Sequence, residues 1–274
     1  MGLCHGGFHS IVGVDIKPQP RFPLAFEFIQ TNAITLLDTW NRSGYIKGFD
    51  LIWASPPCQR YTQMLNHGLT PRSRHEDLVG AVRERLQASG VPWVIENVAG
   101  APLRDPIMLC GEMFGLRVMR HRYFESSFPV VQPLHPRHDP RGAIRKQGDG
   151  GWYYRVYGHE TGKAEWGKAM GIDWMRSPEL AQAIPPAFAR WVALQFMKWK
   201  GDEEMARRET IEQRIMEWFD NADQPRAELL LSLVTAKVRS RRVATTPVRK
   251  TKKRAEQAED AIVDLEVEMG ARPQ

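Results

Sequence analysis

The stretch 49-FDLIWASPPCQRYTQ-63 decides the fold. Phe49 to Ala54 is apolar apart from Asp50 and is halted by Ser55-Pro56-Pro57, so it reads as a short buried strand running into a loop. Cys58 therefore sits at the carboxyl end of a strand. In open α/β sheets ligands and chemistry gather at those ends. The plainer reading, a buried cysteine acting as a small hydrophobe, stands beside it.

The same pattern repeats on either side. Ile11–Asp15 and Phe26–Gln30 read as strands, a helical stretch runs near Ala33–Trp40, and a helix over His75–Ala88 stops at Ser89-Gly90 before the apolar strand Pro92–Val98. This βαβαβ alternation predicts an α/β fold with a doubly wound, mostly parallel sheet. Val118–Glu125 is a further candidate strand. Pro185–Trp199 carries Phe188, Trp191, Val192, Phe196 and Trp199 at helical spacing, a stripe that packs on the sheet. Ser126–Lys163 is rich in Pro, Gly, Arg and His and reads as an inserted surface segment. From Gly201 the chain becomes charged and helical over 202–220, 225–239 and 254–268, with the basic linker RSRRVATTPVRKTKKR at 239–254. The expected organisation is a main domain over 1–200, with its insertion at 126–163, and a helical extension over 201–274.

Composition bounds the function. The 274 residues, 42% hydrophobic and 26% charged, suffice for a real core. No apolar run approaches the roughly 20 residues of a membrane span, and the N-terminus lacks the layout of a signal peptide, so a cytoplasmic, monomeric protein is expected. Cys4, Cys58 and Cys110 are scattered without a C-x-x-C, which indicates neither a disulfide framework nor a zinc site. His135 and His138 alone are too few for a metal, and none is expected. The net charge of +6 suits a polyanion.

A Ser-Pro-Pro loop at a strand end invites comparison with the amino-methyltransferases, whose next residue is an aromatic that stacks on the base. Here that residue is Cys58, which cannot stack but can attack as a thiolate. With this change the sequence resembles the C5-cytosine DNA methyltransferases. SPPCQRYT (55–62) is similar to their Pro-Cys-Gln loop, IENV (95–98) to their Glu-Asn-Val motif, and RHRYFE (120–125) to their paired arginines, all in family order. AMGIDWM (169–175) and AIPPAFARWV (183–192) resemble the closing motifs of compact, often phage-encoded members.

The resemblance implies a Rossmann-like fold, S-adenosylmethionine as methyl donor and double-stranded DNA as substrate. Its chemistry is coherent: Cys58 adds to carbon 6 of cytosine, Glu96 supplies a proton to ring nitrogen 3, and Arg122 with Arg120 beside it holds the base. Alone, each of these would read as an ordinary surface or strand-end group. The base must be flipped out of the duplex, with Gln59, Arg60 and Thr62 on the covering loop. Arg137, Arg141 and Arg145 of the insertion are candidate DNA contacts. Asp15 is placed for the ribose hydroxyls, Ile16 for the adenine face and Asn32 for the adenine amino group, with Pro57 completing the cofactor side.

The chain departs from the family pattern at its start, where GLCHGGFHSIVGVD matches only the end of the first helix and the second strand. The first strand and its glycine-rich loop are expected to be missing, either because Met1 is internal to a longer reading frame or through truncation. An exposed sheet edge follows. Two other readings remain: an amino-methyltransferase without a covalent intermediate, and a catalytically silent DNA-binding remnant.

Overall fold

A computed structural model describes residues 1–61, 76–138, 143–144, 153–154, 156 and 164–221. The chain divides into two compact units, Met1–Met205 and Ala206–Gln274. Of the second, the described residues 206–221 are helical; the expected helices over 225–239 and 254–268 and the basic linker lie outside the described residues.

The first unit is mixed α/β. A four-residue helix, α1 (Gly2–His5), precedes the parallel pair β1 (Val12–Asp15) and β2 (Glu27–Gln30). Helix α2 (Ala33–Ser43) starts at Asn32, whose side chain caps it, and stops at Gly44 in the left-handed region (φ 74°), a conformation that favours glycine. Strands β3 (Ile52–Ala54) and β4 (Trp93–Asn97), with helix α3 (Val79–Ser89) between them, pair in parallel. Next come β5 (Ile107–Leu109) and β6 (Arg122–Ser126), giving a four-stranded sheet in the order β3-β4-β6-β5. The two-residue strands β7 (Ala143–Ile144) and β8 (Tyr153–Tyr154) pair in parallel, and α4 (Ala164–Met170), α5 (Ser177–Leu180) and α6 (Pro186–Asn221) follow.

Three sequence expectations are revised. The larger sheet is mixed, because β6 runs antiparallel to both β4 and β5. The β1–β2 pair forms a sheet of its own, and among the described residues β1 and β3 each pair with one neighbour only. The two helices expected on either side of Gly201 are a single helix. Helix α6 continues through Gly201, since one glycine costs a helix only about 1 kcal/mol.

Strand periodicity explains the layering. Val94 of β4 joins Leu109, Phe124, Phe128, Phe188, Val192 and Phe196 on the face covered by α6. Trp93 and Ile95 point the other way, to Val82 and Leu86 of α3 and to the partly buried Ile34 and Leu37 of α2. Every residue of β4 is buried, the signature of a strand covered on both faces. A third cluster of Val118, Val156, Trp166, Met170, Ile172 and Leu180 forms a satellite core.

One buried ion pair ties α3 to the sheet. Arg83 donates from Nε and Nη2 to the two oxygens of Glu125 at 2.6 Å each, and Glu125 also accepts from the Arg104 backbone N–H at 2.9 Å. The pairing with Glu125 raises the Arg83 pKa above its ordinary value. Substituting Arg83→Met should leave the carboxylate buried without its partner and destabilise the first unit by about 3–5 kcal/mol, measured by urea unfolding.

Candidate active site

Strand β4 carries two polar residues at its carboxyl end, and both reach toward the cysteine loop. Asn97 Nδ2 donates to the Pro56 carbonyl at 2.9 Å, and both Asn97 and Pro56 are buried. This bond pins the Ser55–Cys58 turn beside the end of β4. Glu96 is 7% exposed and lies 3.1 Å from Arg122 Nε, and the Ser55 side chain hydrogen-bonds to its carboxyl group. The Ser55 hydroxyl in turn accepts from Trp53 Nε1 at 3.2 Å.

The pairing follows from register. Glu96 stands opposite Phe124 in the antiparallel β4–β6 ladder, so Arg122, two residues earlier, shares its face one step nearer the end. Burial pushes the Glu96 carboxyl above the ordinary glutamate value, with Arg122, Ser55 and Arg120 opposing that rise. The result is a carboxyl that keeps its proton to higher pH than an exposed glutamate.

Arg120 is also buried and donates to the Val156 carbonyl at 2.7 Å and the Ala181 carbonyl at 2.6 Å. Its Nε is buried without a partner. Burial draws its pKa down to about 9, the Arg122 charge adds to that fall, and Glu96 and Cys58 oppose it. Cys58 is thus within electrostatic reach of a buried guanidinium. The thiol is half-buried, and its carbonyl accepts from the Tyr61 N–H at 2.9 Å, which closes the turn.

Cys58, Glu96, Arg120 and Arg122, drawn from three separate stretches of sequence, therefore meet at one place. Gln59 is exposed and Arg60 half-buried next to Cys58, whereas Thr62, Arg141 and Arg145 lie outside the described residues. Arg137 is exposed on the segment after β6. The supporting roles of Ser55 and Asn97 are not visible without the pairing of β4 with β3, although both stand inside the quoted motifs.

On the cofactor side, Asp15 closes β1, with Oδ1 accepting from the Lys17 N–H at 2.8 Å and Oδ2 from Gln19 Nε2 at 3.0 Å. Ile16 beside it is 63% exposed, and Pro57 is exposed at the end of β3. An apolar surface next to a strand-end carboxylate suits a ribose and an adenine. Asn32 is different: its Oδ1, the atom assigned above to the adenine amino group, accepts from the Ile34 and Thr35 N–H groups as the cap of α2. Gly2 and Gly6 lie against α6, where an added Cβ would meet the Pro186 carbonyl and Ala193, so they serve helix packing.

No protein-family model matches the chain, and no curated protein does either. No helix among the described residues is long and apolar enough to cross a membrane.

Exposure orders the thiols. Cys110 is fully buried, and burial raises its pKa, so iodoacetamide should alkylate Cys58 well before Cys110 when the native chain is followed by peptide mass spectrometry. Asn97→Ala should raise the Cys58 rate further by releasing the turn.

Proposed function

We propose that the chain is a DNA cytosine-5 methyltransferase of Rossmann-like fold. The observation that carries this reading is the convergence of the Cys58 thiol, the buried Glu96 carboxyl, whose pKa burial raises, and the guanidinium groups of Arg122 and Arg120 near the carboxyl ends of β3 and β4. An isolated buried carboxylate would be an expense to the fold. One placed beside a cysteine and two arginines suits attack on an electron-poor ring.

The groups divide the work. Carbon 5 of cytosine is too weak a nucleophile to take a methyl group directly. The Cys58 thiolate adds to carbon 6, and Glu96 delivers a proton to ring nitrogen 3 as electron density moves toward carbon 5. Arg122 orients the Glu96 carboxyl, and the guanidinium charges steady the developing anion. Asp15, Ile16 and Pro57 would hold S-adenosylmethionine, which would supply an electrophilic methyl group. Loss of the carbon 5 proton to a solvent water or hydroxide then expels the thiolate, and return of the nitrogen 3 proton to the Glu96 carboxylate restores the ring and the enzyme.

The strand arrangement supports the same fold. The orders β2-β1 and β3-β4-β6-β5 become one continuous sheet if a single parallel strand stands between β1 and β3, the position the resemblance gives to its first strand. The antiparallel β6 between β4 and β5 then carries Arg122 to the strand end where Glu96 waits. Double-stranded DNA is the matching substrate, with Gln59 and Arg60 beside the extruded base and the net charge of +6 favouring the phosphates.

Duplex DNA containing 5-fluorocytosine tests the proposal, because fluorine blocks release of the thiolate. With S-adenosylmethionine the chain should form a denaturation-resistant adduct that Cys58→Ser abolishes. Methyl transfer indifferent to Cys58→Ser would sink the C5 mechanism in favour of an amino-methyltransferase, and salt-sensitive DNA binding without cofactor affinity would identify a silent remnant. Glu96→Gln should slow adduct formation by roughly 10²–10⁴-fold. In the wild type the rate should fall as pH rises through the elevated Glu96 value, where the proton is lost, and Glu96→Gln should remove that limb of the profile.

A further inference from the structure

Behind the paired arginines lies a cluster of a different kind. Cys110 follows β5, His121 stands between Arg120 and Arg122 at the start of β6, and His135 and His138 come from the segment after β6. Their Sγ and ring nitrogen atoms all lie within 4.8 Å of one another. His121 Nε2 is 2.9 Å from His138 Nε2 and 3.1 Å from His135 Nε2, and Cys110 Sγ is 3.5 Å from His138 Nε2.

Hydrogen bonding among these groups does not account for the arrangement. A neutral imidazole offers either a proton or a lone pair at Nε2, so His121 Nε2 can satisfy only one of the two Nε2 atoms that face it. The third nitrogen is left with at most a shared, weakened contact. A cation at the centre removes the conflict, because every nitrogen then presents a lone pair inward.

The distances point the same way. Zinc bonds of about 2.0–2.1 Å to nitrogen and about 2.3 Å to sulfur set tetrahedral edges of about 3.3 Å between nitrogens and about 3.6 Å between nitrogen and sulfur. The observed 2.9, 3.1 and 3.5 Å edges lie close to these values, and all four ligand atoms lie within 4.8 Å of one another. His138 also turns its other ring nitrogen, Nδ1, to Glu112 Oε2; both atoms are buried, and neither has another polar partner. A carboxylate on the far nitrogen is the usual support of a metal-bound histidine, since it fixes the ring and the tautomer.

The geometry points to a structural zinc site formed by Cys110, His121, His135 and His138, with Glu112 orienting His138. Three imidazoles and one thiolate disfavour magnesium and calcium, which take oxygen ligands, and four protein ligands leave no open position for catalysis. On binding, the Cys110 thiol gives its proton to solvent and a sulfur–zinc bond forms. The metal would staple the root of the inserted segment to the stretch that carries Arg120 and Arg122. This corrects the expectation that the scattered cysteines and His135 with His138 hold no metal. It is independent of the methyltransferase reading.

The test uses the full chain, without a histidine tag, refilled with Zn²⁺, desalted and analysed by elemental mass spectrometry. One zinc per chain is expected. With Co²⁺ in its place, the visible spectrum should show tetrahedral bands and a sulfur-to-cobalt charge-transfer band. Cys110→Ser should abolish that band, His135→Cys should keep one metal per chain and strengthen it, and Cys4→Ser should leave it unchanged. A wild-type chain holding less than about one-tenth of a zinc after refilling, or a cobalt spectrum that Cys110→Ser does not alter, would overturn the site. The stoichiometry and spectrum of the wild type need no variant to fold and no activity to be present.

Discussion

The structure depends on how polar groups are tolerated at the end of a strand buried on both faces. β4 is covered by α6 on one side and by α2 and α3 on the other, so Glu96 and Asn97 leave water as the strand ends. Neither is tolerable alone, because an unpaired buried amide or carboxylate costs several kcal/mol. Asn97 is satisfied by the backbone of the cysteine loop and Glu96 by Arg122 and Ser55. The requirement that stabilises the strand end therefore also brings together the reactive set. Neighbouring Glu125 follows the same rule on the opposite face, where Arg83 and the Arg104 N–H answer it.

Much of this was legible in sequence because the chemistry lies in short motifs next to strong strand signals. The apolar run before Ser55 and the run 92–98 mark two strands, and their polar ends name Cys58 and Glu96. What sequence did not convey depends on pairing. The direction of β6 was not readable from Val118–Glu125, because parallel and antiparallel strands share the same alternation, and the strand itself begins only at Arg122. The capping role of Asn32 was hidden for a related reason. A residue before a helix can reach outward to a ligand or back to the helix N–H groups, and its side chain takes the second course. Gly201 suggested a gap between two helices, but the flanking helix formers outweigh one glycine.

The histidine–cysteine cluster escaped notice because its members span Cys110 to His138 with no local spacing signature. Only His135 and His138 are close in sequence, and two ligands prove nothing. The missing information was that β5 and β6 are antiparallel neighbours, which sets Cys110, just after β5, beside His121, just before β6. Once that register is known, a cysteine at one strand end and a histidine at the start of the next form half of a site. The same turn also carries Glu112. The arginine pair and the histidine–cysteine cluster thus occupy alternate side-chain positions of one stretch, with Arg120 and Arg122 in the first and His121 in the second.

The packing of α1 against α6 bears on how the chain is made. Phe8 stacks on Phe196, and Gly2 and Gly6 abut the Pro186–Ala193 turns of α6. The residues that close the sheet face over Val94 are among the last of the first unit to leave the ribosome. Until they emerge, the face of β4 that α6 covers stays open. Such long-range closure is slow and exposes nascent chains to association. The yield of native protein in a cell is therefore governed by how long the first hundred residues wait for Phe188 and Phe196, so a chaperone that shields the open sheet face during that wait is the condition under which this chain folds best.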